Sequence, residues 1–243
     1  MEHVFFKPWK GTDYESGGIF RKKILAIGES FYCSEEEAVA TLTKRIVEDY
    51  LAIRKGEYRE NNGGWTNTYL KFERSLVGEE TKPEKSQEIW NSISFYNYLQ
   101  VPMSGARESG SPIDYKNAEE AFFEVLNDLQ PDLIIVWGVG KLFNNLPEDR
   151  WTWDKPLNVD GWDINNGFYQ LNNDEIRRWD GKRPKYFANR RRLKYENYVE
   201  RLKYIFVAYE VVFEKAAEFN SALNDIYHNY LLVDANPNVQ KID

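Results

Sequence analysis

The sequence predicts an α/β fold of three layers, in which helices cover both faces of a central parallel sheet of four strands. Residues 24–27 and 133–137 are continuous apolar runs, which are typical of strands buried on both faces. Helical patterns lie between the predicted strands in the order strand, helix, strand, helix, strand. This order favours right-handed crossovers into a parallel sheet.

The first strand runs through residues 22–29 and ends in a turn at Gly28. Ser34 is followed by three glutamates, which predicts a helix start, because serine caps helices and the helix dipole favours acids in the first turn. We expect this helix to end near residue 51. A polar, glycine-rich loop at residues 54–66, a helix at 68–76 and a charged loop containing Pro83 follow.

A second strand is expected near residues 93–98, and its following loop is rich in glycine and proline. An apolar stripe predicts a helix over residues 115–129, which Pro131 ends. The next strand covers residues 133–138 and leads into a short helix at 141–146. Residues 150–175 are rich in Trp, Asn and Gly, and a further strand is predicted near 168–171.

The last part of the chain has a different character, so we divide it into an α/β domain at residues 1–175 and an extension at residues 176–243. Apolar residues at steps of three and four between positions 198 and 226 predict a long amphipathic helix or a helical pair. A strand near residues 204–213 is the competing interpretation. The apolar stripe of this helix could also pair with a second copy and form a homodimer.

Composition excludes several classes of protein. A net charge of −7 and a pI near 5.2 argue against a general nucleic-acid coat protein, which needs dense Lys and Arg. One Cys and two His leave no disulfide framework and no Cys-rich zinc site, so we predict no metal. The sequence lacks a signal peptide and an apolar stretch of membrane-spanning length, and we expect a cytoplasmic protein without membrane contact.

Candidate site residues follow the predicted strands, because ligands of open α/β sheets bind beyond the carboxyl ends of the strands. Gly28 allows the backbone to approach a ligand closely, and Glu29 and Ser30 offer a carboxylate and a hydroxyl in one turn. Asn97 presents a donor and an acceptor, which suits the amide edge of a base. The rings of Tyr32 and residues 95–98 could stack on that base.

Each of these residues also has a structural interpretation. Glu29 could cap a helix or pair with a lysine, and Asn97 could be a satisfied turn residue. Gly138 and Gly140 form only a weak phosphate-binding signal, because the remaining residues of a dinucleotide or phosphate loop are missing.

Three segments resemble motifs of the uracil-DNA glycosylase superfamily. Residues 24–33 are similar to its first motif, Gly-Gln-Asp-Pro-Tyr-His, with Gly28 and Tyr32 matching, and to the Gly-Glu-Ala-Pro-Gly form, with Gly28 and Glu29 matching. Residues 95–97 resemble the strand whose Asn hydrogen-bonds the flipped base. Residues 130–138 resemble the strand Lys-Pro-x-Val-Ile-Val-x-Leu-Gly, so that the resemblance covers about residues 20–150.

The resemblance implies a DNA base-excision N-glycosylase that flips uracil or a modified base into a pocket, without a metal or organic cofactor. Glu29 is then the acid, and Ser30 occupies the position of the pattern's catalytic Asp. The base-binding residues are expected to be Gly28, Tyr32, Phe95 and Asn97. The family's second motif, His-Pro-Ser-Pro, is not found, since neither His3 nor His228 precedes a proline, and the donor to the departing base is therefore unidentified.

A basic segment with tyrosines at residues 182–195 could contact DNA phosphates, through Lys185, Arg190, Arg191, Arg192 and Lys194. It could equally be a solvated loop that balances the acidic body, or a surface for a protein partner. Two further functions stay open. One is an inactive module of glycosylase fold that binds nucleic acid or a protein, and the other is an α/β hydrolase of small nucleotides with a phosphate site at residues 138–141.

Overall fold

A computed structural model of the chain describes residues 1–57, 64–77, 80–105, 108–136 and 141–147, and the backbone of four strands between residues 151 and 188. The helices in these ranges are α1 (Leu42–Arg54), α2 (Thr66–Val77), α3 (Pro83–Ser92), α4 (Pro112–Leu129) and the short α5 (Lys141–Asn144). The strands are β1 (Trp9–Lys10), β2 (Ile24–Gly28), β3 (Ile93–Asn97), β4 (Leu133–Val136), β5 (Trp151–Trp153), β6 (Leu157–Val159), β7 (Trp162–Tyr169) and β8 (Lys185–Ala188).

The sheet has four parallel strands at its centre, in the order β3-β2-β4-β8. Strand β1 pairs antiparallel with β3 at one end, and β7 pairs antiparallel with β8 at the other. Strands β5 and β6 both pair antiparallel with β7. The predicted α/β class is confirmed, but the sheet is mixed rather than purely parallel.

The fourth parallel strand is β8, whereas the sequence predicted a strand near residues 168–171. Residues 168 and 169 belong to β7, which runs antiparallel to its neighbours, and residues 170 and 171 lie outside the described residues. Strand β8 lies past residue 175, so the sheet continues beyond the boundary that composition suggested. Its four residues follow a charged stretch, which hid the strand from a periodicity argument.

Both faces of β2 and β4 are apolar and buried. Leu25, Ile27 and Ile134 pack on the side of α4, whereas Ile24, Ala26 and Ile135 pack on the side of α1, α2 and α3. Neighbouring residues of one strand point to opposite faces, so only a continuous apolar run can serve both layers. This explains why the runs at β2 and β4 could be recognised from the sequence.

Helix α1 begins at Leu42, and the predicted start at Ser34 was wrong. Ser34 and Glu37 do form a reciprocal cap, with the Ser34 N–H donating to Glu37 Oε2 at 3.0 Å and the Glu37 N–H donating to Ser34 Oγ at 3.3 Å. This cap closes a single turn only. The carbonyl of Ala40 accepts the Lys7 N–H at 2.9 Å and is thereby bound to the N-terminal segment before the helix starts.

Helix α3 replaces the charged loop predicted around Pro83. Proline stands at the first turn of the helix, where its missing N–H and fixed φ are tolerated. Only the end of the helix is strongly apolar, with Ile89 and Trp90 both fully buried. Because the first six residues are mostly polar, the helical period could not be seen.

Helix α4 covers the predicted range and begins three residues earlier. Ser111 and Asp114 form a capping box at its start, and Gln130 ends it with a left-handed φ of 47°. Among the described helices, none is both long and apolar enough to cross a bilayer. The helix predicted between residues 198 and 226, and the homodimer contact predicted on it, lie outside the described residues.

Candidate functional site

The loops after β2 and β3 run side by side beyond the sheet. Gly28 is paired with Asn97 at the carboxyl ends of the two strands. The pairing then continues through backbone hydrogen bonds: Tyr98 N to Gly28 O (3.0 Å), Leu99 N to Glu29 O (2.9 Å), Met103 N to Phe31 O (2.8 Å) and Cys33 N to Met103 O (3.2 Å). Residues 28–33 are therefore held along residues 97–103.

Glu29 is partly exposed and is bound to helix α4. Its Oε1 accepts a hydrogen bond from the hydroxyl of Tyr115, and among the described residues Glu29 neither caps a helix nor pairs with a lysine. The structure gives no hydrogen bond to Oε2 from any described residue. One carboxylate oxygen is thus bound by Tyr115, whereas Oε2 has no hydrogen bond within the described part of the chain.

Tyr115 is the site residue that the sequence analysis missed. It was predicted only as the first residue of the helix at 115–129, and it is 3% exposed. Burial, and then the hydrogen bond to Glu29, raise the pKa of Tyr115 well above its ordinary value. The hydroxyl therefore stays protonated and acts as a donor at neutral pH.

Asn97 joins the two loops rather than standing open to solvent. The residue is 4% exposed, and its Nδ2 donates to the Ser30 carbonyl at 2.9 Å. The Asn97 carbonyl accepts from Gln100 Nε2 at 3.1 Å. The interpretation of Asn97 as a satisfied turn residue therefore describes this structure, in which the amide donor is used within the protein.

Ser30 contributes its carbonyl to Asn97, but its side chain is unpaired. The Oγ atom is buried and has no hydrogen-bond partner among the described residues. A buried hydroxyl normally finds a partner, because leaving it unsatisfied costs about 1–3 kcal/mol. Ser30 Oγ is thus a polar group beside Glu29 that a ligand or a water molecule could satisfy.

The two candidate stacking residues lie in different places. Phe95 is 1% exposed and packs on the side of the sheet that carries α1–α3, with ring centroids 6.0 Å from Trp90 and 5.7 Å from Tyr69. It is a core residue and is not brought together with Glu29. Tyr32 is 52% exposed beside the Met103 segment, where its ring could contact a ligand.

The basic residues predicted to contact phosphate are only partly described. Lys185 pairs with Leu133 at the amino end of β4, so its backbone lies at the edge opposite Glu29. Strand β8 ends at Ala188, at the same edge as Gly28. Arg190, Arg191, Arg192 and Lys194 lie outside the described residues, as do residues 138–140 of the predicted phosphate site.

His3 does not supply the donor that the missing histidine motif would provide. Its Nδ1 is 2.7 Å from Glu124 Oε1, and its backbone N–H donates to Glu124 Oε2 at 3.0 Å. This hydrogen bond with Glu124 raises the pKa of His3. Since Glu124 stands more than two helical turns after Tyr115 on α4, the pair is separate from the Glu29 loop. His228 lies outside the described residues.

The part of the chain that the structure describes contains no group of three or more His, Cys, Asp or Glu side chains that could hold a metal ion. Models of known protein families give no match to the chain, and curated proteins give no significant match. The residues of the site are therefore the basis for a functional conclusion.

Proposed function

We propose that the protein hydrolyses the N-glycosidic bond of uracil or a modified base in DNA. The observation that carries this proposal is the placement of Glu29. Its carboxylate stands at the carboxyl end of β2, where open α/β sheets bind ligands, with one oxygen fixed by Tyr115 and the other without a hydrogen bond from the described residues. An oriented carboxylate of this kind suits the activation of water.

In the proposed reaction the bond between C1′ and the base nitrogen breaks, and a water oxygen bonds to C1′. Glu29 accepts the proton of that water, and the base leaves with the bonding electrons and is protonated in turn. Ser30 Oγ, which follows Glu29 in the loop and has no hydrogen-bond partner among the described residues, is the candidate donor to the departing base. Neither a metal nor an organic cofactor takes part.

The proposed function includes a specific fold, a three-layer domain like that of the uracil-DNA glycosylases. Helices on both faces of four central parallel strands agree with a three-layer domain like that of the uracil-DNA glycosylases. The residues that carry the resemblance, Gly28, Glu29 and Asn97, are neighbours through the register of β2 and β3. Two motifs that are far apart in sequence thereby meet at one edge.

Binding of DNA is supported by the direction of β8. This strand is parallel to β2 and β4, so the chain leaves the sheet after Ala188 at the edge that carries Glu29. Arg190, Arg191 and Arg192 follow within four residues of Ala188 in sequence. These arginines are the candidate contacts for the phosphates that flank the base.

The proposal is tested with purified protein on oligonucleotides that carry uracil, hypoxanthine or modified pyrimidines, followed by alkaline cleavage of abasic sites. We expect cleavage of at least one substrate and a loss of about 10²-fold or more in the Glu29→Gln variant. Glu36→Gln is the matched control, because Glu36 is an exposed acid seven residues further along. No cleavage of any substrate, or equal rates for Glu29→Gln and the wild type, would contradict the enzymatic function.

The second candidate is a binding module that shares the fold without the chemistry. The observation that favours it is the state of Asn97, whose amide is buried and bound to Ser30 instead of being open to a base. This function predicts salt-dependent DNA binding without base release. Replacing Arg190, Arg191 and Arg192 by Gln should then abolish binding, whereas Glu29→Gln should leave it unchanged.

A further inference from the structure

We propose that Tyr115 is the positioning residue for Glu29 in the reaction described above, and that helix α4 thereby controls the direction of the carboxylate. The inference rests on the proposed function. Its basis is the hydrogen bond from the Tyr115 hydroxyl to Glu29 Oε1, which joins two residues 86 positions apart. No motif in the sequence links them.

Glu29 has limited freedom because its backbone is held independently. The Glu29 carbonyl accepts the Leu99 N–H at 2.9 Å, and the neighbouring Gly28 carbonyl accepts the Tyr98 N–H at 3.0 Å. Glutamate retains three side-chain torsions when its backbone is fixed, and one hydrogen bond to Oε1 removes most of that freedom. Oε2 then faces a ligand in a defined direction, which favours reaction through orientation.

Tyr115 is itself fixed firmly enough to orient another group. Its ring stacks on Tyr98, with centroids 6.3 Å apart and planes inclined by 29°. The Tyr98 hydroxyl donates to the backbone carbonyl of Tyr115 at 3.3 Å. The first turn of α4 is closed by the capping box of Ser111 and Asp114, immediately before Tyr115. A rigid donor is what a positioning residue requires.

The protonation state of Tyr115 agrees with this role. Burial and the adjacent carboxylate both favour the neutral phenol, so the pKa of Tyr115 lies well above its ordinary value. The hydroxyl consequently donates over the whole neutral range. Ser109 also forms a hydrogen bond with Tyr115, which lowers the pKa of Tyr115 but is a smaller effect than burial and the bond to Glu29.

The test is the Tyr115→Phe variant, measured by single-turnover base release and by DNA affinity in the full chain. We expect the rate of base release to fall by about 10- to 100-fold with unchanged DNA affinity, because Phe keeps the ring and loses only the donor. On a Glu29→Gln background the same substitution should cause no further loss. A 4-aminophenylalanine residue at position 115, which restores an N–H donor, should recover part of the rate.

Tyr14→Phe is the matched control, since the Tyr14 hydroxyl is also buried and donates to the Leu129 carbonyl at the far end of α4. The positioning role alone would be overturned if the wild type is active and Glu29→Gln is strongly impaired, but Tyr115→Phe and Tyr14→Phe release base at equal rates. A wild type that releases no base would overturn the proposed function and this inference together. Equal losses from Tyr115→Phe in the wild-type and Glu29→Gln backgrounds would show a purely structural role.

Discussion

At the scale of single residues, Glu73 shows how this fold accommodates a fully buried charge. Its Oε1 accepts hydrogen bonds from the hydroxyls of Thr81 and, at 2.7 Å, Ser86, and it lies 3.5 Å from Arg54 Nε. The Trp90 indole donates to Oε2 at 3.2 Å. Arg54 belongs to α1, Thr81 to the segment before α3, and Ser86 and Trp90 both to α3, so the Glu73 carboxylate ties α2 to these three places. Burial of a charge is tolerated only with such compensation.

Replacing Glu73 by Gln should therefore destabilise the protein by about 2–4 kcal/mol, a value discounted for the partial exposure of Arg54. The amide would present donors to groups that are donors already, and it would leave Arg54 without its counter-charge. Urea unfolding of the purified variant measures the change. In Glu88→Gln, which breaks the partly exposed pair with Lys85, we expect a change below about 0.5 kcal/mol. Equal effects of the two substitutions would refute the special role of Glu73.

At the scale of elements, α4 supports both the core and the Glu29 loop, and its start is fixed by Ser111. The Ser111 N–H donates to Asp114 Oδ2 at 2.7 Å, and the Asp114 N–H donates to Ser111 Oγ at 3.4 Å. Tyr115 is the next residue after this box. The cap therefore holds the turn from which the Tyr115 hydroxyl reaches Glu29.

The Ser111→Ala variant should lose about 1 kcal/mol of stability, because the orphan N–H groups of the first turn lose their acceptor. Ser34→Ala removes the same kind of cap from a single turn that leads into no helix directly, and we expect a smaller loss. Thermal unfolding of both variants gives the comparison. A larger loss of stability in Ser34→Ala than in Ser111→Ala would contradict this prediction, because the cap of the isolated turn would then contribute more than the cap of α4.

The elements that could be predicted are those whose burial is visible in a few consecutive residues. β2 and β4 are apolar at every position, and α4 has a long stripe followed by Pro131. α3 was missed because its apolar residues are crowded at one end, and β8 because four residues are too few to establish a period. The start of α1 depends on a hydrogen bond between Ala40 and Lys7, a contact that no local pattern encodes.

Only those features of the candidate site that follow from the positions of the strand ends could be predicted from the sequence. Gly28, Glu29 and Asn97 meet because parallel strands carry their carboxyl ends to one edge. The partners of these side chains could not be inferred, since Tyr115 approaches Glu29 from another layer and Ser30 binds Asn97 through a backbone carbonyl. Phe95 was misplaced among the base-binding candidates because the side of the sheet on which a ring lies depends on the register of the strand.

At the scale of the whole molecule, buried tyrosines make the free energy of unfolding depend on pH in the alkaline range. Burial raises the pKa of Tyr14, Tyr50, Tyr69, Tyr96, Tyr98 and Tyr115 in the folded chain. In the unfolded chain these phenols lose their protons near their ordinary pKa of about 10. Above that pH the unfolded state binds fewer protons than the folded state, so the free energy of unfolding falls as pH rises.

We expect stability to change little between about pH 8 and pH 9 and to fall steeply above about pH 10, by up to about 1.4 kcal/mol per pH unit for each buried phenol. Urea unfolding at successive pH values measures the trend, and tyrosinate absorbance should rise together with loss of the folded state. A free energy of unfolding that is constant through about pH 11 would contradict the burial of these rings.

The continued pairing of residues 28–33 with residues 97–103 also limits the insertions and deletions that this protein can accept during evolution. Loops in α/β proteins usually tolerate insertions and deletions, since their length affects stability only weakly. Here one added or missing residue between Asn97 and Met103 would break the hydrogen bonds that hold the Glu29 segment. A change of ligand preference should therefore arise by exchange of side chains such as Tyr32, at constant loop length, and libraries of variants are best built in the same way.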